Sequence, residues 1–430
     1  MKATNRQANR KRPIFRASLL AGLCAASTFT GLAGTGVASA SGTVNLQFWN
    51  AYNPTDKEVS TMTNVVLPQF EKENPGIKVT NVTVPYSQLL QKYIAAVAAG
   101  DPPAVMRSDI IWVPELASQG ALLNLTHLGW FQPIKNDALP GPLSTNFYKG
   151  SYYGMPDDTN TQVLFWNKAD FAAAGLSGPP TTESQLFSEV PKLTDKKKGQ
   201  FGLGVDGTDI WNVSPYVWSG GGSFTNSDAS TTSGFMNGNA TESTLGELLS
   251  LYKAGDVGTD FLGGSGAISG ETGFPKGQYA MYIDGPWAVP TYRQDKFSNY
   301  GVALFPKGSS GSVSVVGGED IVIANNVQHQ GDAVKLAQFL AGPFAQLQMA
   351  NQGDLATYKS DSAAEVKQQP YLSTFVQQLG TAEARPVSPV YTRIDTDFSN
   401  ELQEAVAGKL PLGNALNAAS GQSNAAISGS

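Results

Sequence analysis

Phe274-Pro275-Lys276-Gly277-Gln278-Tyr279-Ala280-Met281-Tyr282-Ile283-Asp284-Gly285-Pro286-Trp287 decides how the rest of this 430-residue chain is read. Lys276-Gly277 makes a turn, Tyr279 to Ile283 has the apolar alternation of a buried strand, and Gly285-Pro286 breaks that strand. Trp287 is left just beyond its end. Open α/β sheets bind ligands at the carboxyl ends of their strands, so Trp287 is a candidate stacking platform in a cleft. The competing reading is a Trp that plugs a loop against the core.

Further towards the N-terminus, strands and helices alternate as a parallel sheet requires. Val44, Leu46 and Phe48 form one face of a strand that ends in Trp49-Asn50-Ala51-Tyr52-Asn53, which places Trp49 and Asn50 at a second strand edge. Thr55-x-x-Glu58 has the form of a capping box, and Val59, Met62, Val66 and Phe70 continue it at helical spacing, with Pro68 kinking the last turn. Ile77 to Val84 is a second strand, and Leu89 to Val97 a second helix ended by Gly100. A third strand begins at Ala104, and Asp109 falls where it gives way to a helix. A carboxylate there accepts two hydroxyl hydrogen bonds, a geometry that suits a sugar diol; its other role would be to cap the helix.

At 430 residues the chain is too long for one core, and it is 41% hydrophobic but only 15% charged, against a usual ~25%. Its surface must be covered by Ser, Thr, Asn, Gln and Gly, which is not a nucleic-acid binder's balance. Before Ala40 stand Lys2, Arg6, Arg10, Lys11, Arg12 and Arg16 with no acid; an apolar run and Ala38-Ser39-Ala40 follow, the pattern of a secretory signal cleaved after Ala40. The expected mature chain starts at Ser41 and carries a formal charge of about −12. Cys24, the only cysteine, is preceded by Leu23 where a lipidation site has a small residue, so a lipid anchor is disfavoured.

Several segments in order then carry a resemblance. They are Phe70-Glu71-Lys72-Glu73-Asn74-Pro75-Gly76-Ile77-Lys78-Val79, Ala98-Ala99-Gly100-Asp101-Pro102-Pro103, Lys149-Gly150-Ser151-Tyr152-Tyr153-Gly154-Met155-Pro156, Val163-Leu164-Phe165-Trp166-Asn167-Lys168 and the opening stretch itself. In these the chain resembles the family 1 extracellular solute-binding proteins, the sugar-capturing subunits of ABC importers. The likeness spans nearly all of residues 44 to 420, with Ala104 standing where the family has Asp.

That resemblance implies an α/β fold of two lobes, each a mainly parallel sheet flanked by helices, closing on a ligand at a multi-strand hinge. Residues 41–154 with 315–353 would form the N-terminal lobe, 155–314 with 354–420 the C-terminal lobe, and 421–430 a flexible tail. Met155-Pro156 would be a crossing between lobes, after which Asp157, Asp158 and Asn160 come to the ligand. Adjacent residues of an extended segment point to opposite sides, so one of the two acids is expected at the cleft, with Asp158 and Asn160 favoured. Trp218 is favoured over Trp211 in the same way. Gly317 and Gly318, paired before an apolar strand, let backbone approach a ligand closely; Glu319 follows them on the return crossing, and Arg385 stands in the arginine-proline segment. The implied partners are a carbohydrate ligand and the membrane permease subunits, with the protein a secreted monomer in the periplasm or on the outer face of the cytoplasmic membrane.

Two rival readings belong to other classes. A glycoside hydrolase using Asp109 and Asp158 would need one carboxyl of raised pKa facing one ionised carboxylate, and nothing in the sequence argues for that pairing. A binding protein for a polyamine would want more acids and fewer amides. No cofactor is expected: Gly202-x-Gly204-x-x-Gly207 has no amphipathic helix behind it, so no dinucleotide site is implied. His127 and His329 have no partner at metal-ligand spacing.

Overall fold

The computed structural model describes residues 42–52, 57–264 and 266–429. The signal-like segment, Cys24 and Thr55 of the capping box lie outside the described residues. The strands are β1 (Val44–Asn50), β2 (Ile77–Thr83), β3 (Val105–Asp109), β4 (Phe147–Tyr148), β5 (Ser151–Tyr152), β6 (Gly154–Thr161), β7 (Val163–Asn167), β8 (Met281–Asp284), β9 (Tyr300–Ala303), β10 (Ser314–Ile323) and β11 (Ala382–Ala384). β1 lies between β2 and β3, parallel to both. The long β10 runs antiparallel to β3 and β6 and parallel to β11, which completes a six-stranded sheet.

The second sheet, β8-β7-β9, is antiparallel throughout. Residues near Phe201 and Gly204 add parallel bridges to Tyr279 and Tyr282 on its edge. The expected parallel order therefore holds for β1 to β3, while the six-stranded sheet as a whole is mixed and the second sheet is antiparallel. The reason is that β8 and β9 return from long excursions, so neighbouring strands need not be joined by helical crossovers.

Period-two alternation puts a separate core on each face of each sheet. Val105, Ile321 and Ile323 pack with Phe48, Phe70 and Leu336, whereas Met106 and Val322 pack on the other face with Leu89, Tyr93 and Leu116. In the second sheet Leu164 and Met281 join Leu203, Val213 and Leu248, while Val163, Phe165 and Tyr282 join Phe274, Tyr292 and Phe375.

Several helices differ from expectation for identifiable reasons. The one before β2 is interrupted by a π-helical turn, Met62–Val66, just ahead of Pro68. A proline ring collides with the carbonyl four residues back, here Asn64, and a wider turn relieves that collision. Gly342-Pro343 divides the helix expected over Ala333 to Ala350 into Gln330–Leu340 and Pro343–Ala350. A helix does follow the glycine motif: Ile210–Ser219, capped by Asp209. Eight of its ten residues are buried, so no polar face marks it in the sequence.

The C-terminus shows the largest departure. In place of a flexible tail over 421–430, the chain ends in helices Tyr391–Val406 and Leu412–Ser428, separated at Gly408, whose φ of 74° ends the first. Ser423 is buried, and Asn424 accepts from Thr232 N (2.9 Å) and donates to Ser233 Oγ (2.7 Å), so the helix also pins the 223–239 loop. Removing residues 422–430 should therefore cost about 2 kcal/mol of folding free energy, since each such bond contributes ~1 kcal/mol. Chemical denaturation of the truncated chain checks this; an unchanged midpoint would mean the segment is dispensable.

Candidate functional site

A cleft of about 1340 Å³ is lined by Trp211 and Trp287 together with Arg107, Glu319 and Arg385. It exceeds the ~300 to 1,000 Å³ typical of small-molecule pockets. Trp287 stands at the N-cap of the helix Ala288–Gln294, just past β8, and is half-buried. Its ring folds back over Gly285, where any Cβ would collide with it. Trp211, on the first turn of Ile210–Ser219, has its ring centroid 6.4 Å from that of Trp287, with an interplanar angle of 30°. Gly317 makes room for Trp211, since a Cβ there would come within 2.6 Å of the indole. With the Gln162 amide oriented to satisfy both its ends, its oxygen accepts from Trp211 Nε1 at 2.6 Å.

Arg107 of β3 is buried among carboxylates from the crossing strands. Its Nε donates to Asp157 (3.1 Å), and its Nη2 donates to Asp158 (2.5 Å) and Glu319 (2.9 Å). Asp354 lies 3.9 Å away and Tyr52 covers the guanidinium at 4.5 Å. Two adjacent acids reach one arginine because the β6–β10 register slips: Asp158 faces Glu319 and Pro156 faces Asp320, leaving Asp157 as the extra residue of a bulge. Burial, then the neighbouring Asp158, pushes Asp157 up to about 7. Burial likewise raises Glu319 and Asp354 well above the usual carboxylate range.

A second arginine lies beside the first group. Arg385, next to β11, donates through Nη2 to Asp109 (3.3 Å) and sits over the Trp211 ring at 5.1 Å. Asp109 also accepts from Tyr86 Oη (2.7 Å) and from Ile111 N (2.9 Å), so it caps the following turn while facing the cleft. Gly318 holds a φ of 123°, and a Cβ on it would strike the β6 backbone at Asp158 and Thr159.

The sequence pattern of the family described as bacterial extracellular solute-binding protein matches residues 53–347. This chain belongs to that family. A binding protein of Brucella abortus is 27% identical over 361 residues, spanning 79% of this chain and 83% of its own. The galactooligosaccharide-binding protein of Bacillus subtilis is 27% identical over 401 residues, 87% of this chain and 89% of its own. Among solved structures, an ABC-transporter solute-binding protein of Thermotoga lettingae bound to alpha-D-tagatose superimposes with a TM-score of 0.80. At 24% identity, covering 89% of this chain and 100% of that one, this likeness shows the two-lobed fold.

In this solute-binding protein the cleft brings together Trp287, Asp109, Asn160, Gly317, Gly318, Glu319 and Arg385 of the residues singled out from sequence. Five others lie elsewhere. Asp157 and Asp158 point to Arg107 beneath the wall, for which the bulge is the reason. Trp218 is 5% exposed and packs edge-on to Phe224, so Trp211 and not Trp218 reaches the cleft; seven residues apart, they sit on the same helix, but Trp218 is carried two turns deeper into the core. Trp49 bonds Gln47, and the fully buried Asn50 bonds Asn81 and Thr83, which ties β1 to β2. Sequence reasoning missed Arg107. The available signal was an arginine inside a strand otherwise read as buried, a position tolerable only with charged partners.

The raised carboxyls make stability depend on pH. Around Arg107 the folded chain retains protons that unfolded carboxyls release above pH ~4. Folded stability should therefore be greatest below that and fall as pH rises towards 7, the value to which Asp157 is pushed. Asp157→Asn should flatten this fall, and melting temperatures from pH 4.5 to 8 provide the check. A rising profile in the ligand-free protein would contradict it.

Proposed function

We propose that this solute-binding protein captures a carbohydrate, specifically an oligosaccharide, by closing its lobes about the cleft, and passes it to the permease subunits of an ABC importer. The observation that carries this reading is the pair Trp211 and Trp287, lining one cleft together with Asp109, Glu319 and Asn160. Aromatic faces stack on the C–H faces of sugar rings, while carboxylates and amides satisfy hydroxyls. The cleft volume and the named ligand of the Bacillus subtilis relative support more than one sugar unit. The lobes would be residues 41–154 with 315–353 and 155–314 with 354–420. The two pairs of cores support this division, since one pair draws chiefly on the former set and the other pair on the latter.

The same geometry supports binding without catalysis. Asp109 and Asp158, the acids a hydrolase would use, are each held in an ion pair with a buried arginine. Neither is left free to serve as a general acid opposite the other. The family's extracellular character supports a secreted protein, and no described helix is long and apolar enough to cross a membrane.

Truncating Trp287 tests this reading. A central aromatic anchor commonly costs ~2 kcal/mol or more on truncation, so Trp287→Ala should weaken binding of a recognised oligosaccharide at least ~30-fold. The ligand-free protein should lose far less than the ~3 to 5 kcal/mol of a packed core Trp. Calorimetric titration and denaturant unfolding of the same variant separate the two effects. Normal affinity with collapsed stability would remove Trp287 from the site.

A further inference from the structure

Two arginines in a ligand cleft would ordinarily be receptors for a carboxylate or phosphate, whose oxygens match the guanidinium fork. Here both already hold carboxylate partners, with Nε of Arg385 the one buried guanidinium donor left without one among the described residues. Arg107 gives its Nε and Nη2 to three carboxylates and has Asp354 as a fourth neighbour, with the Tyr52 ring against it. Arg385 gives Nη2 to Asp109, lies over Trp211 and Tyr391, and feels Asp209 and Asp395 nearby. Their residue exposures are 6% and 8%, so water screens these pairs little. The other cations on the wall, Lys57, Lys276 and Arg293, are exposed, and Arg293 lies over Tyr371. Among the described residues the wall carries eight carboxylates against five cations.

We propose that this cleft selects carbohydrates that carry no acidic group, and that Asp109 and Glu319 enforce the selection by occupying Nη2 of both arginines. The inference rests on the carbohydrate reading and narrows it. A uronic acid or sugar phosphate entering the cleft would meet guanidiniums already paired with carboxylates, and its charge would be added to a wall on which carboxylates outnumber cations. A neutral sugar escapes that repulsion, because carboxylates accept hydroxyl hydrogen bonds without change of charge. The arginines thus hold the wall's carboxylates in place as acceptors.

The test uses the mature chain and matched probes: neutral di- to tetrasaccharides, and the uronic acids made by oxidising a C6 hydroxyl of each. Thermal shift identifies the neutral sugars that bind, and calorimetry compares each with its acid. The acid should bind at least ~10-fold more weakly, since like-charge juxtaposition is strongly unfavourable. In Asp109→Asn, Arg385 gains a free Nη2 and the gap should narrow by about tenfold. Glu319→Gln applies the same test at Arg107 should the first variant fail to fold. Equal or tighter binding of the acids by the wild type overturns the inference while leaving the carbohydrate reading intact. An unchanged gap in both variants removes these carboxylates as its cause. If neither member of any pair binds, the carbohydrate reading falls and this inference falls with it.

Discussion

Arg107 is buried on β3 and bonded at once to carboxylates from β6 and β10, the strands through which the chain passes between the two sets of cores. A third passage, at 353–358, lies against β6 through the Thr159–Leu355 bridge and brings Asp354 to the same guanidinium. Removing one partner from a buried ion pair commonly costs ~3 to 5 kcal/mol, because the other charge is left uncompensated. The hub therefore fixes the relative positions of the crossing strands. Those strands in turn position Gly317, Gly318, Glu319 and Asn160 on the cleft wall.

The arrangement gives rigidity and movement separate places. The strands below the cleft are locked by charge and by the β-ladder. The aromatic side is held differently: Trp287 caps a short helix over Gly285, and Trp211 rests against Gly317 and Gln162. Gly353, with a φ of 113° and its Cβ position 2.9 Å from Trp287 Cα, sits where the third crossing meets the platform. The proposed closure would be spread over small changes in the residues flanking these crossings, which leaves the hub and the cores intact.

Much of this was legible in the sequence wherever one residue's neighbours along the chain determine its environment. The alternation around β1 to β3 and the position of Trp287 after β8 follow from local pattern and came to the place expected, whereas the paired glycines, expected before a strand, lie within β10. What escaped depends on contacts across long separations. The bulge that turns both Asp157 and Asp158 to Arg107 exists only in the pairing of β6 with β10. The choice between Trp211 and Trp218 rests on how deeply Ile210–Ser219 runs into the core, and a helix buried on nearly every side leaves no periodic trace. The C-terminal helix reads as polar and frayed until Ser423 and Asn424 meet the 223–239 loop.

The central claim is that the wall and the aromatic platform close on a sugar as two bodies about these crossings. Small-angle X-ray scattering of the mature protein, with and without an oligosaccharide whose binding calorimetry has established, tests it most directly. The account predicts a smaller radius of gyration in the saturated sample and a scattering profile that reverts when the sugar is dialysed away. Saturation by calorimetry with an unchanged profile would contradict it.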